Sequence, residues 1–336
     1  MIMNSHIYRA LLATAAALPF GISNAALVPS TVNIDPDGGA AGQSAIAIEA
    51  LDWGQNSTLT VANIPLLPTD IGSIFTILTQ ATLGNFQNPS GVNLIGTGLN
   101  TDYEWTVVIA FEERVQNLLD TTSNGFLDLA TFQTVPGAAT SELVIYYDTA
   151  VNANPLLGTG YNDGTVVLRA DLSSVTNGNF QVDESSLPLP LGGTTGPVDL
   201  DQSGANNWPG TTTLVGNGST GNLTFTVSAV DNAFFPDVFA GSIINMDMLF
   251  GNVSQQLPFA QVDPAQQLWD PVNNVFVASA VGAINGLNGP NELIQTDFNA
   301  SFLTETVPAP GSLVLVGIGL AALGGGSLRR RRALTA

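Results

Sequence analysis

Apolar and polar residues alternate with a period of two through most of this chain. The clearest run is Tyr103 to Arg114, where Tyr103, Trp105, Val107, Ile109 and Phe111 alternate with Glu104, Thr106, Val108, Ala110 and Glu112. Such alternation predicts a long strand with one buried face. Shorter runs predict strands at 45–50, 57–62, 74–83, 126–134, 142–149 and 164–172, with an edge strand at 178–182. Others fall at 222–230, 243–250, 275–281 and 295–304. The 142–149 and 164–172 strands are expected to pair as a meander. The segment 64–71 carries Pro65 and Pro68 and reads as a loop.

Between Glu184 and Thr213 the chain turns to Pro, Gly, Ser, Thr and Asn, which predicts a linker or long surface loop. No segment before Gly311 shows a 3.6-residue apolar period. Many short strands with Gly, Asn and Pro turns predict an all-β fold, an antiparallel β-sandwich of Greek-key or jelly-roll kind. Leu94-Ile95-Gly96-Thr97-Gly98-Leu99-Asn100 echoes Leu156-Leu157-Gly158-Thr159-Gly160-Tyr161-Asn162. Seven residues are too few to establish a repeat, and two similar loops are the simpler reading.

The two ends break the pattern. His6 and Arg9 precede an apolar run from Ala10 to Phe20, and Ser23-Asn24-Ala25 places small residues where a signal peptidase cuts. Residues 1–25 are therefore expected to be a signal peptide. At the other end, Val307-Pro308-Ala309-Pro310 precedes an uncharged apolar run from Gly311 to Leu328, then Arg329, Arg330, Arg331 and Arg332. Eighteen helical residues span roughly 27 Å, enough for a bilayer core with help from the flanks. The arginines would hold that end in the cytoplasm. The exported region, 26–306, fits one large β domain or two smaller ones.

Charge and missing residue types narrow the chemistry. Outside the two end segments only Arg114 and Arg169 oppose 27 acidic residues, and there is no lysine or cysteine. The surface should repel nucleic acid and attract divalent cations or basic partners, although solubility alone accounts for acidity of this kind. The single histidine, His6, leaves with the signal peptide. Ser-His-Asp and Cys-His catalysis, thiolate or histidine zinc sites and lysine Schiff bases are thereby excluded from the exported part. Asp120-Thr121-Thr122 lacks the glycine of an aspartic protease motif. A glycosidase needs only two carboxylates, for which Glu104, Glu112, Glu113 and Glu142 are available. The expectation is a protein that is not an enzyme.

Asp199-Leu200-Asp201-Gln202-Ser203-Gly204 reads as the first half of a calcium loop. Asp199, Asp201 and Ser203 would be the ligands, but Gly210 stands where a bidentate Glu is needed. An Asx-turn in a surface loop is the competing reading. Asp35-Pro36-Asp37-Gly38-Gly39 reads as a turn. Trp105 is expected in the core. Trp208, beside Pro209, is the best placed of the four tryptophans for an exposed aromatic.

The C-terminal arrangement resembles the PEP-CTERM sorting signal of Gram-negative bacteria. Val307, Pro308 and Pro310 match the Val-Pro-Glu-Pro motif, Ala309 stands at the Glu, and the apolar helix and arginine cluster follow in order. The resemblance implies an exosortase-type transpeptidase as partner. It also implies an inner-membrane intermediate, held by the 311–328 helix, and release to the cell surface or extracellular matrix. The body is similar, more loosely, to flocculation-associated members. The stretches are Ser141 to Asp148, Asn162 to Leu168, and Asn288-Gly289-Pro290 leading into Thr296 to Phe302. That similarity implies a structural or adhesive matrix protein working with exopolysaccharide in cell aggregation. The alternatives are a secreted carbohydrate-active enzyme and a calcium-dependent sugar-binding module on the same scaffold.

Overall fold

The computed structural model describes residues 27–39, 44–61, 68–188, 193–200, 210–251, 267–285 and 289–305. Residues 1–25, expected as a signal peptide, and 307–332, expected as a sorting signal, lie outside them. The chain divides into two units, Pro29–Leu303 and a second made of Met1–Val28 with Thr304–Ala336. Of the second unit only four residues, at the ends of two strands, are described.

The strands are β1 (Leu27–Pro29), β2 (Val32–Ile34), β3 (Ile46–Ile48), β4 (Ala50–Val61), β5 (Ile74–Gln87) and β6 (Glu104–Leu119). They continue as β7 (Leu129–Val135), β8 (Glu142–Asp148), β9 (Thr165–Leu172), β10 (Asn177–Val182), β11 (Val198–Asp199) and β12 (Thr212–Thr213). The last are β13 (Gly216–Val230), β14 (Ile243–Gly251), β15 (Gln267–Asp270), β16 (Val275–Ala278) and β17 (Asn291–Glu305). Among the described residues the helical elements are two 3-10 turns, Pro68–Asp70 and Glu184–Ser186. No described helix is long and apolar enough to cross a membrane.

The all-β, antiparallel character expected from the alternation is what the structure has. The order of the strands differs from the expectation. β4, β5, β6, β8, β9, β13 and β14 pair in sequence order, each antiparallel to the next; β14 pairs with β17 and β17 returns to β4. The ladder is thus a closed ring of neighbours in chain order, without the crossed connections of a Greek key or jelly roll along it. Consecutive strands tend to lie side by side, and closure removes the free edges.

The ring is forked. The first half of β6 pairs with β8 and its second half with β7. β13 forks likewise, its Gly216–Thr220 end pairing with β10 and its Phe225–Val230 end with β9. β7 and β10 pair with each other, so they close one end of the ring while β8 and β9 close the other. β10 therefore lies between two partners, which corrects its assignment as an edge strand. Its Gly/Asn-rich sequence carries a weak strand signal, but glycine is what the close approach requires. A Cβ on Gly218 of β13 would run into the backbone oxygen of Asn179.

One core fills the ring. Trp105, Val107, Ile109 and Phe111 of β6 are each fully buried in it, with Leu51 and Trp53 of β4, Ala81 and Leu83 of β5, and Phe225 and Val227 of β13. The other face of β6, expected to meet solvent, is buried as well. Ala110 packs with Leu59, Leu78, Leu200, Leu268 and Leu293 in one outer cluster. Val108 packs with Val144, Tyr146 and Tyr161 in another. The β15–β16 hairpin contributes Leu268 to the first of these clusters, and Trp269 packs against the second.

Two bulges set which side chains point inward. β4 carries an extra residue between Trp53 and Thr58 relative to β5. One extra residue exchanges the faces of everything beyond it. Leu51 and Trp53 face the core, but past the bulge Leu59 joins the outer cluster and Thr58 and Thr60 turn inward. β13 has a comparable shift between Thr220 and Leu223. The β8–β9 end of the ring is consequently aromatic and dry. The β7–β10 end receives inward polar side chains.

The loops behave as their glycines require. Gly96 and Gly98 have φ of 74° and 82°, and Gly158 and Gly160 have 70° and 80°. The echoed Gly-Thr-Gly stretches are thus two loops with glycines in the same left-handed region. Among its described residues, the 184–213 segment, expected as a linker or loop, holds the Glu184–Ser186 turn and the paired β11 and β12.

Candidate functional site

The inward polar side chains surround a cavity of about 100 Å³ at the β7–β10 end. Its walls are mostly apolar: Phe75 and Ile77 from β5, Phe132 from β7, Phe180 from β10 and Ile294 from β17. Phe75 and Phe132 meet edge to face, centroids 5.5 Å apart. Thr58 and Thr60 line one side. Thr58 belongs to a hydroxyl chain, donating to Thr79 Oγ1 at 2.9 Å and accepting from Thr296 Oγ1. At the margin Asn285 donates to Thr213 Oγ1 at 3.2 Å and accepts from the Leu293 N–H at 2.8 Å. That residue ties the segment before β13 to β17.

Two carboxylates face this space, Glu113 and Glu292. Glu113 continues the inward stripe of Trp105, Val107, Ile109 and Phe111, and is 2% exposed. Its Oε1 accepts from Thr220 Oγ1 at 3.0 Å. Gly178 of β10 leaves it room, since a Cβ there would lie 3.3 Å from Oε1 and collide with the Thr220 hydroxyl. Burial pushes the Glu113 carboxyl up to about 7, against a smaller opposing pull from the Thr220 bond. Glu292 shares its face of β17 with Ile294. Some of its surface is reached through the cavity, yet the protein packed around its carboxyl pushes it equally, to about 7, by burial. Glu292 makes no hydrogen bond or ion pair among the described residues. Neither arginine of the body lines the cavity; Arg169 is paired with Glu142.

The remaining candidate carboxylates are structural or lie elsewhere. Glu104 is buried and accepts from the backbone N–H groups of Asn152 at 2.9 Å and Ala153 at 3.0 Å, fixing the loop after β8. Glu142 is held by Arg169. Glu112 lies on the other face of β6 from Glu113. Only Glu113 of the four reaches the cavity, and Glu292, its companion there, was not among them.

Asp199 is exposed on β11, opposite Thr212 of β12. Asp201 and Ser203 lie outside the described residues, as do Trp208, Val307, Pro308, Ala309, Pro310 and the arginines Arg329, Arg330, Arg331 and Arg332. Among the described residues no three acidic or histidine side chains gather as a metal site would need. The calcium reading of Asp199, Asp201 and Ser203 has a direct test. Millimolar Ca²⁺ will raise the melting temperature if the loop binds it, because a ligand bound only to the folded state stabilises that state. Asp201→Ala will abolish the rise. An unchanged wild-type melting curve returns the loop to an Asx-turn. The Asp35–Gly39 turn needs no ion: Gly39 N–H donates to Asp37 Oδ1 at 2.9 Å, and Pro36 O accepts from Trp105 Nε1 at 2.9 Å.

Compared with protein-family models, with curated proteins and with solved structures, the chain has no significant match.

Proposed function

We propose that this is an exported, non-enzymatic structural or adhesive protein of a Gram-negative floc or biofilm matrix, associated with exopolysaccharide. On this reading the body is a sandwich-like β unit. A signal peptide ending near Ala25 exports it, the 311–328 helix holds it in the inner membrane, and an exosortase-type transpeptidase cuts at Val307–Pro310. The observation that carries the reading is the order of the C-terminal parts, motif then apolar run then arginines. Each has a physical task there: a helix satisfies its own backbone in lipid, and the arginines resist translocation.

The body is compatible with it. Every strand of the ring has a hydrogen-bonded neighbour on both sides. A closed ladder suits a protein displayed at high density, because it offers no long edge for uncontrolled pairing.

Variants of the tail test the sorting. Pro308→Ala with Pro310→Ala will leave an uncut, membrane-bound precursor in a strain that carries an exosortase. Replacing Arg329 to Arg332 with Ser will impair retention before cutting. Exopolysaccharide pull-down beside a glycan-hydrolysis screen tests the role at the surface: binding without hydrolysis is the expected result. Hydrolysis that is lost in Glu113→Gln would replace this reading with an enzyme.

A further inference from the structure

We propose that the cavity at the β7–β10 end of the ring binds a small organic ammonium ion with a compact apolar body. Size and wall chemistry set the body. The space, about 100 Å³, is on the scale of the roughly 150 Å³ engineered cavity that takes benzene. Phe75, Phe132, Phe180 and Ile294 stand among its mostly apolar walls, and aromatic faces attract cations as well as apolar groups.

The charge of the ligand follows from what the chain lacks. No arginine lines the cavity with Glu113 and Glu292, and the sequence holds no lysine. Glu113 has a single hydroxyl partner and Glu292 has none among the described residues. A buried carboxylate is costly unless paired. Among the described residues no cation stands against these two, so a bound cation would pair with them where they ionise. A calcium ion suits the walls poorly, since it asks for six to eight oxygens and most of the lining is hydrocarbon. An ammonium needs few acceptors, and its apolar body occupies the rest. A sugar would leave several hydroxyls without partners against the phenylalanines. This site is independent of the sorting and matrix role: it rests on the body alone.

Calorimetric titration of the full-length protein with benzylamine at pH 8 tests the proposal, with benzyl alcohol as the neutral analogue of the same shape. Saturable binding of benzylamine is expected, with benzyl alcohol weaker by about tenfold or more, the scale of one charge-assisted hydrogen bond. Glu113→Gln and Glu292→Gln keep the side-chain shape and remove the charge; a loss of about tenfold in benzylamine affinity in either supports the site. The proposal is overturned if benzylamine fails to bind at millimolar concentration, if benzyl alcohol binds equally well, or if both variants keep wild-type affinity. Folding of the variants is checked by their melting curves, and Glu113→Gln removes a buried charge and so favours the fold.

Discussion

Replacing Glu113 by Gln will stabilise the protein at pH 8, by at most about 3 kcal/mol, and leave it nearly unchanged at pH 4. The sign follows from the direction of the shift. In the unfolded chain Glu113 ionises near its ordinary value of 4.5, whereas burial holds the folded carboxyl protonated up to about 7. The folded state therefore binds the proton more tightly. Stability is full below about pH 4.5, falls as the pH rises towards 7, and levels off above. Glu292, raised by the same cause, adds a decline in the same window, reduced because part of its surface meets solvent. The strongly acidic surface contributes its own repulsion over this range, so the comparison that isolates Glu113 is variant against wild type at each pH. Gln still accepts from Thr220 and keeps the volume. Urea midpoints at pH 4 and pH 8 make the measurement. An equal change at both values, or a loss of stability at pH 8, would show that Glu113 is neutralised by a partner and not held in a cavity.

Trp105→Ala will cost about 3–5 kcal/mol, the range for removing a large aromatic from a packed core. The indole is fully buried and meets three rings edge-on: Phe86 at 5.5 Å, Phe235 at 5.4 Å and Phe234 at 6.0 Å. Its N–H holds the Pro36 carbonyl at 2.9 Å and so fastens the Asp35–Gly39 turn to the core. Phe234 packs against the same turn, with a Cβ on Gly38 only 2.6 Å from its ring. Trp105→Phe keeps most of the packing and loses the hydrogen bond, for about 1–2 kcal/mol. Total stabilities of 5–15 kcal/mol are usual for domains, and no disulfide backs up this one, so Trp105→Ala approaches unfolding. Chemical denaturation of both variants checks the order. A Trp105→Ala loss below about 1 kcal/mol would mean that the core at this end is loosely packed.

Much of this fold is written in local pattern, and the parts that are not have identifiable causes. β6 follows from alternation, and β5 from a β-branched, apolar run with no helix start. Leu51 to Asn56 escaped as strand because the β4 bulge breaks the alternation there, and the Gly216–Thr220 end of β13 escaped because glycine and asparagine carry little strand preference. Strand order is a long-range property: nothing in Asn291 or Glu292 announces that β17 will return to β4. The same division holds at the cavity. Glu113 was legible as one carboxylate among four, and its place in phase with Trp105, Val107, Ile109 and Phe111 is the signal that singles it out. Glu292 is in phase with Ile294, a usable sign, but its approach to Glu113's cavity depends on ring closure and on the bulge that turns Thr58 and Thr60 inward. The sorting reading of residues 307–332 rests on composition and order alone, and those residues lie outside the described ones.

The intact mass of the protein recovered from the cell surface of an exosortase-bearing strain decides whether the tail is processed. The expected chain begins near Ala26 and ends at or near Val307–Pro310, with the apolar run and arginines removed. Surface material whose mass still includes Gly311 to Ala336 would contradict it and make the tail an ordinary membrane anchor.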